Sequence, residues 1–257
     1  MASLPADYRC VLMYICFLRN QGKTVGTIRC RLSAVADKHK LLNLSNPIAA
    51  FAVSRLLNSY KKLDTPLIRK PIGADLLKRI MQCYGYSYTD VLFKALFTLM
   101  YSASLRIGEV ALSGVADHVI LKENCSLRKD GSLKLHLKSF KHSVQPVVLV
   151  LKRLPEQGLC PVSNLLDYLK FRPCGAHNAL FLLRDGKLLT RQLVANELSR
   201  LMNAIGLVSA HYNTHSLRIG RATDMFTAGA SDERIRLIGR WNSDAWRSYI
   251  KPGYLYV

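Results

Sequence analysis

From Lys61 to Pro71 the hydrophobic periodicity that orders the rest of the chain stops. This stretch holds Pro66 and Pro71, the basic residues Lys61, Lys62, Arg69 and Lys70, and no recurring apolar position. Proline lacks a backbone donor and fixes its own φ, so a segment with two of them continues neither a helix nor a paired strand. A break of this kind divides the 257 residues into a short leading unit and a longer following one. The division expected is a helical unit over 1–62, a linker over 63–71 and a second domain over 72–257.

The leading unit reads as three helices. An apolar stretch runs to Leu18, Asn20-Gln21-Gly22 breaks it, and Thr24 caps a helix that reaches about His39. A third helix follows Asn46-Pro47, a cap residue with proline at the first helical position, and is expected to turn Ile48, Phe51, Ala52, Leu56 and Leu57 inward. Beyond the linker, helical patterns cover Ala74–Gln82 and Thr89–Ser102, with a shorter one after Leu105. The middle then alternates or becomes β-branched at Asp117–Leu121, Leu133–Leu137 and Val144–Leu151, around an Asp130-Gly131 turn. Helical signals return at Ser163–Phe171, Thr190–Ile205, His215–Ala228 and Asp232–Ile238, the last led by Ser231 as a cap, and end in a short one at Asp244–Ile250. The fold class expected is mainly α with one small antiparallel β-sheet, in two domains.

Charge narrows the function. Lys and Arg number 37 against 17 Asp and Glu, a formal net charge of +20. The excess is +7 up to Thr65 and +13 after it, so both units are suited to a polyanion such as duplex DNA. The apolar run in the first twenty residues is broken by Asp7, Arg9 and Arg19, unlike a signal peptide or a membrane span. An intracellular protein without a membrane partner is expected. Seven cysteines with no C-x-x-C pair read as reduced core residues. No Walker-type loop and no cluster with zinc or calcium spacing is present, so chemistry without ATP, metal or other cofactor is expected.

The most informative motif is His215-Ser216-Leu217-Arg218. It sets an imidazole and a guanidinium three residues apart at the start of a helix, where both can reach one phosphate and the helix amides add to the anion site. Alone, the pattern also fits a polar helix start. Its company is Leu105-Arg106-Ile107-Gly108-Glu109 upstream, then Gly239-Arg240-Trp241 and Tyr249 downstream.

Together these residues resemble the tyrosine recombinases of the phage integrase family, and are most similar to recombinases of eukaryotic mobile elements such as DIRS-like retrotransposons and Cryptons. The resemblance spans nearly the whole chain. It implies a clamp of a helical core-binding domain and an α+β catalytic domain around duplex DNA. It further implies strand exchange through a 3′-phosphotyrosyl intermediate and a Holliday junction, by a homo-tetramer on paired sites, and a nuclear location in a eukaryotic host. Arg106, His215 and Arg218 would hold the scissile phosphate, Tyr249 would be the nucleophile, and Glu109 would orient Arg106 or His215. Trp241 would offer its indole N–H to the phosphate or pack beneath the site. The family's lysine general acid falls on Lys141, with Lys138 as its competitor and otherwise a backbone contact.

In the better-known bacterial and phage members the His or Trp lies nine residues before the Tyr, whereas Trp241 lies eight before Tyr249. Tyr254 and Tyr256 stand close by. Lys23, Arg29 and Arg31 on the second helix, and Lys61, Lys62, Arg69 and Lys70, are candidates for DNA-backbone contacts, with a solvated surface as the plain alternative. A type IB topoisomerase shares the chemistry, and a domesticated, non-catalytic DNA-binding module shares the fold. Both stay open at this point.

Overall fold

The computed structural model describes residues 5–65, 67–112, 118–138, 146–175, 177–251 and 253. Lys141, Tyr254 and Tyr256 lie outside them, as do the expected strand starts at Asp117 and Val144. Two compact units are present, 1–67 and 68–257.

In the first unit, α1 (Tyr8–Asn20), α2 (Val25–Leu41) and α3 (Phe51–Leu63) enclose Val11, Ile15, Leu18, Val25, Ile28, Leu32, Val53 and Leu57. These positions repeat every three or four residues, the spacing of one helical face. Asp7 and Thr24 cap α1 and α2 by accepting from Cys10 N and Thr27 N. The third helix departs from expectation. Pro47–Ala49 is a separate 3-10 turn, and α3 starts only at Phe51. This later start rotates the inward face onto Val53 and Leu57, leaving Phe51 76% exposed and Ala52 at the surface.

Little of the expected linker is unattached. Leu63 closes α3, and the Asp64 carboxylate accepts from Val25 N (2.7 Å) and from Arg19 within the first unit. Lys70 N donates to His211 O and Ile72 N to Ser216 O (both 2.9 Å), so residues 70–72 run against α8 (Thr214–Thr227) as part of the second unit.

The second unit is built around α5 (Tyr88–Ser102), capped by a reciprocal Ser87–Asp90 box and buried continuously from Ala95 to Ser102. It packs on α6 (Pro161–Phe171) and α8, while α4 (Ala74–Gln82) lies against α8 and α7 (Arg191–Ala204) joins the same core. Gly220 makes the approach of α8 to the 70–73 segment possible. A Cβ at this position would lie 1.8 Å from Ile72 O. Gly220→Ala is therefore expected to force the backbones apart, at a cost of about 2 kcal/mol or more. A thermal melt should show a lower Tm for this variant.

The sheet has order β1-β2-β3 and is antiparallel throughout: β1 (Cys125–Leu127), β2 (Leu133–Leu137) and β3 (Val147–Leu151). Leu135 pairs with both Cys125 and Leu149, and β2 buries Leu133, Leu135 and Leu137 on one face. The expected strand ending at Leu121 is not the first strand of this sheet. Leu121 forms only an isolated bridge to Ala179, and β1 lies four residues further on, where its partner on β2 selects it.

The cysteines also depart from expectation. All seven are free, but only Cys160 is buried, whereas Cys10, Cys30, Cys83 and Cys174 are exposed. Cys10 and Cys30 fall on outer helix faces because Val11, Ile15 and Ile28 take the inner ones. Among the described residues no helix is long and apolar enough to cross a membrane.

Candidate active site

Three chain turns converge at the C-terminal end of α5. Just after it, Ser104 adopts a left-handed conformation (φ 48°), reversing the chain and exposing the carbonyls of Ala103 and Ser104 inward. A 3-10 turn, Ile107–Glu109, follows. The buried Glu109 carboxylate accepts from Arg106 N (2.9 Å) and from the Arg106 guanidinium (3.4 Å). Glu109 thus orients Arg106, one of the two options open in the sequence.

The second turn is the start of α8. Asn213 caps it, accepting from His215 N (3.0 Å), and the box closes through Ser216. His215 sits in the first turn, exposed at the cleft, while Arg218 one turn on is fully buried. The Arg218 guanidinium donates to Ser104 O (2.6 Å) and to Gly239 O, and its Nε has no hydrogen-bond partner among the described residues.

The third turn ends α9 (Asp232–Gly239), whose N-cap Ser231 accepts from Arg234 N as its sequence suggests. Arg240 takes a left-handed conformation (φ 55°) and sends its side chain into the interior. Trp241 folds back over Gly239, where a Cβ would lie 1.6 Å from the indole. Its ring centroid rests 4.3 Å from the Arg218 guanidinium carbon, a cation–π contact. The expected final helix is a 3-10 segment, Asp244–Tyr249, anchored by the buried Trp246 against Ala222, Met225 and Ile235. Thr223 Oγ1 donates to Tyr249 O (3.1 Å) and fixes the segment's end.

Tyr249 is thereby placed with its ring edge-on to both His215 and Trp241, centroids 4.9 Å apart in each case. Its Oη lies 2.8 Å from His215 Nε2. Partial burial of the ring, then the charges of Arg218 and Arg106, push the His215 imidazole down to about 4. A neutral Nε2 without a proton can accept from the phenol. Because the folded value lies below the ordinary 6.5, the unfolded chain binds this proton first as pH falls. Stability from this residue is complete above about pH 6.5 and is lost as pH drops toward 4. In DNA-free protein the ring is expected to stay neutral at pH 6 by NMR, and His215→Gln should flatten the acid side of the stability profile. A ring that titrates at its ordinary value would contradict this placement.

A cleft of about 700 Å³ opens here, lined by Arg106, Glu109, His118, Arg191, His215 and Tyr249 among others. Glu109 is the single carboxylate among the described residues that line it. Glu109 pairs with both Arg106 and Arg240, and burial with the neighbouring Arg106 and Arg240 charges holds Arg218 below the usual guanidinium range.

The site thus joins Arg106, Glu109, His215, Arg218, Trp241 and Tyr249. Lys141 lies outside the described residues. Lys138 is exposed and paired with Glu123 (2.9 Å), and it does not line the cleft. Lys23, Arg29, Arg31, Lys61 and Lys62 belong to the first unit, where Arg29 donates to Asn58 Oδ1 (3.2 Å). Arg69 donates to Ala210 O within the second. No role was expected from the sequence for Arg240, His118 and Arg191, which line the cleft, or for Trp246, which packs behind it. The available signal for Arg240 was its place nine residues before Tyr249, where the family pattern expects His or Trp.

Residues 71–250 match the model of the phage integrase family. The chain is 24% identical over 229 residues to tyrosine recombinase XerD of Oceanobacillus iheyensis, covering 89% of this chain and 70% of the relative. Among solved structures it is similar to the Tn1549 transposon integrase in complex with circular intermediate DNA, with TM-score 0.62, 14% identity, and 96% and 81% of the two chains covered. It is also similar to a lambda integrase dimer bound to a COC′ core site, with TM-score 0.66, 15% identity, and 98% and 82% covered. The two solved structures share this fold.

Proposed function

The chain belongs to the phage integrase family of tyrosine recombinases, and on that premise we propose that it is a site-specific DNA recombinase that cuts and rejoins duplex DNA through Tyr249. The observation that carries the reading is the 2.8 Å contact of Tyr249 Oη with His215 Nε2, beside the Arg218 guanidinium and the Glu109 carboxylate that pairs with both Arg106 and Arg240. The phenol gives its proton to His215, and Oη attacks phosphorus. The bond to the 5′-oxygen breaks, leaving a 3′-phosphotyrosyl link that conserves the energy for rejoining. The departing oxygen takes a proton from a lysine, for which Lys141 is the family's match and Lys138 the competitor.

Charge builds on the non-bridging oxygens as phosphorus becomes five-coordinate, and planar guanidiniums aimed at it are worth about 10²–10³-fold each. Arg106, at the cleft wall, meets one oxygen directly. Arg218 lies under the Trp241 and Tyr249 rings and meets the second when the Tyr249 ring swings to phosphorus. His215 donates or accepts beside them.

The same reading extends to assembly. The helical unit and the catalytic unit both bind the duplex, with Lys23, Arg29, Arg31, Lys61, Lys62, Arg69 and Lys70 on its backbone. Four subunits on two sites exchange strands through a Holliday junction. Gly239-Arg240-Trp241 with its eight-residue step to Tyr249 favours the recombinases of eukaryotic mobile elements, and with them a nuclear location. The test is incubation with nicked suicide duplexes selected from a random pool, without ATP or added metal. A covalent adduct at a defined sequence is expected. Sequence-independent plasmid relaxation would instead indicate a topoisomerase, and tight binding with no adduct a binding module.

A further inference from the structure

We propose that Arg240 is a positioning residue for cleavage, which holds Arg106 through Glu109 and so ties the nucleophile's segment to the phosphate-binding arginine. The inference rests on the recombinase reading above. Three observations carry it.

First, Arg240 lies at the floor of the cleft with almost no free surface, its side chain 1% exposed and that of Glu109 3%. Second, its fork spans both sides of the site. It donates to Ala103 O (3.0 Å) and Ser104 O (3.1 Å) at the end of α5, and to Glu109 Oε2 (2.8 Å). The same carboxylate holds Arg106 through its backbone N and its guanidinium. Glu109 is thus clamped between two arginines, and the orientation of Arg106 depends on the anchor behind it. Third, the main chain pays strain for this placement, since Arg240 is one of three described non-glycine residues at positive φ. That turn sends Arg240 inward and lets the next residue, Trp241, fold back over Gly239 and onto Arg218. One residue therefore fixes the loop that presents Trp241 to Tyr249 and the carboxylate that presents Arg106.

The position explains the eight-residue step. The residue nine before the nucleophile is Arg240, and in this chain that place serves as an internal tie while the indole moves one residue on. Lysine could reach Glu109 but cannot fork to two carbonyls as well.

The test is single-turnover cleavage of the suicide duplex at saturating DNA, with DNA affinity measured separately. Arg240→Met is expected to slow cleavage by about 30- to 100-fold with affinity changed less than about threefold, and Arg240→Lys to restore part of the rate. The decisive readout is a double-mutant cycle with Arg106→Ala. If Arg240 acts through Arg106, the double variant cleaves within about threefold of Arg106→Ala alone. Losses that multiply would overturn the inference, since a general loosening of the fold slows cleavage whether or not Arg106 is present. If Arg240→Met does not fold, Glu109→Gln and Arg240→Lys run the same cycle. A wild-type protein that forms no adduct would count against the recombinase reading itself. A cleaving wild type with an Arg240→Met variant of equal rate would count against this inference alone.

Discussion

Tyr249→Phe is expected to bind its DNA site with affinity within about twofold of the wild type and to form no covalent adduct. The phenyl ring keeps the edge contacts to His215 and Trp241. The segment's other anchors, Trp246 in its apolar pocket and the bond from Thr223 to Tyr249 O, do not involve the hydroxyl. What is lost is the oxygen that lies 2.8 Å from His215 Nε2. That hydrogen bond contributes about 1 kcal/mol to the fold, so the melting temperature should move by only a few degrees. The chemical loss is complete, because no other described group at the site combines an unblocked oxygen with a neutral acceptor beside it. Gel shifts and denaturing gels on the same substrate separate the two effects.

Arg218→Lys has the next largest effect. The charge is kept, but an ammonium on a flexible stem cannot donate in fixed geometry to both Ser104 O and Gly239 O, nor present a flat face to Trp241. Losing one charged hydrogen bond in the interior should destabilise the protein by about 2 kcal/mol, or roughly 4–8 °C in Tm. Cleavage should fall by about 10²–10³-fold, the usual cost of removing one well-placed donor from an anionic transition state. Cleavage measured well below the Tm of both proteins distinguishes this from unfolding. A normal rate with a lowered Tm would make Arg218 a purely structural residue.

Much of the fold was legible because local signals and tertiary demands agreed. The Thr24, Ser231 and Asn46 caps each accept from a backbone amide in their own turn, and Ala74–Gln82 forms as its apolar spacing requires. Where they disagreed, packing won. Phe51 is apolar and begins a helix, yet the 3-10 turn before it sets the register and leaves it outside. The segment up to Leu121 carries a strand-like pattern, but the place beside Leu133–Leu137 is taken by Cys125–Leu127, a choice made by pairing across the sheet.

The site divides in the same way. Arg106, His215, Arg218 and Tyr249 are singled out by their resemblance to the family pattern, and the fold brings them together. Arg240 carries one signal, its place nine residues before Tyr249, but the left-handed backbone at the end of α9 that turns it inward is one its own side chain does not favour. Trp246 likewise reads as one more apolar residue until its burial beneath Tyr249's segment is seen.

The central claim is that the phenol of Tyr249 becomes covalently bound to DNA. Protease digestion of the trapped adduct followed by mass-spectrometric fragmentation of the DNA-bearing peptide tests it most directly. The expected product is a nucleotide joined by its 3′-phosphate to Tyr249. Attachment at Tyr254 or Tyr256, or through a 5′-phosphate, would contradict it.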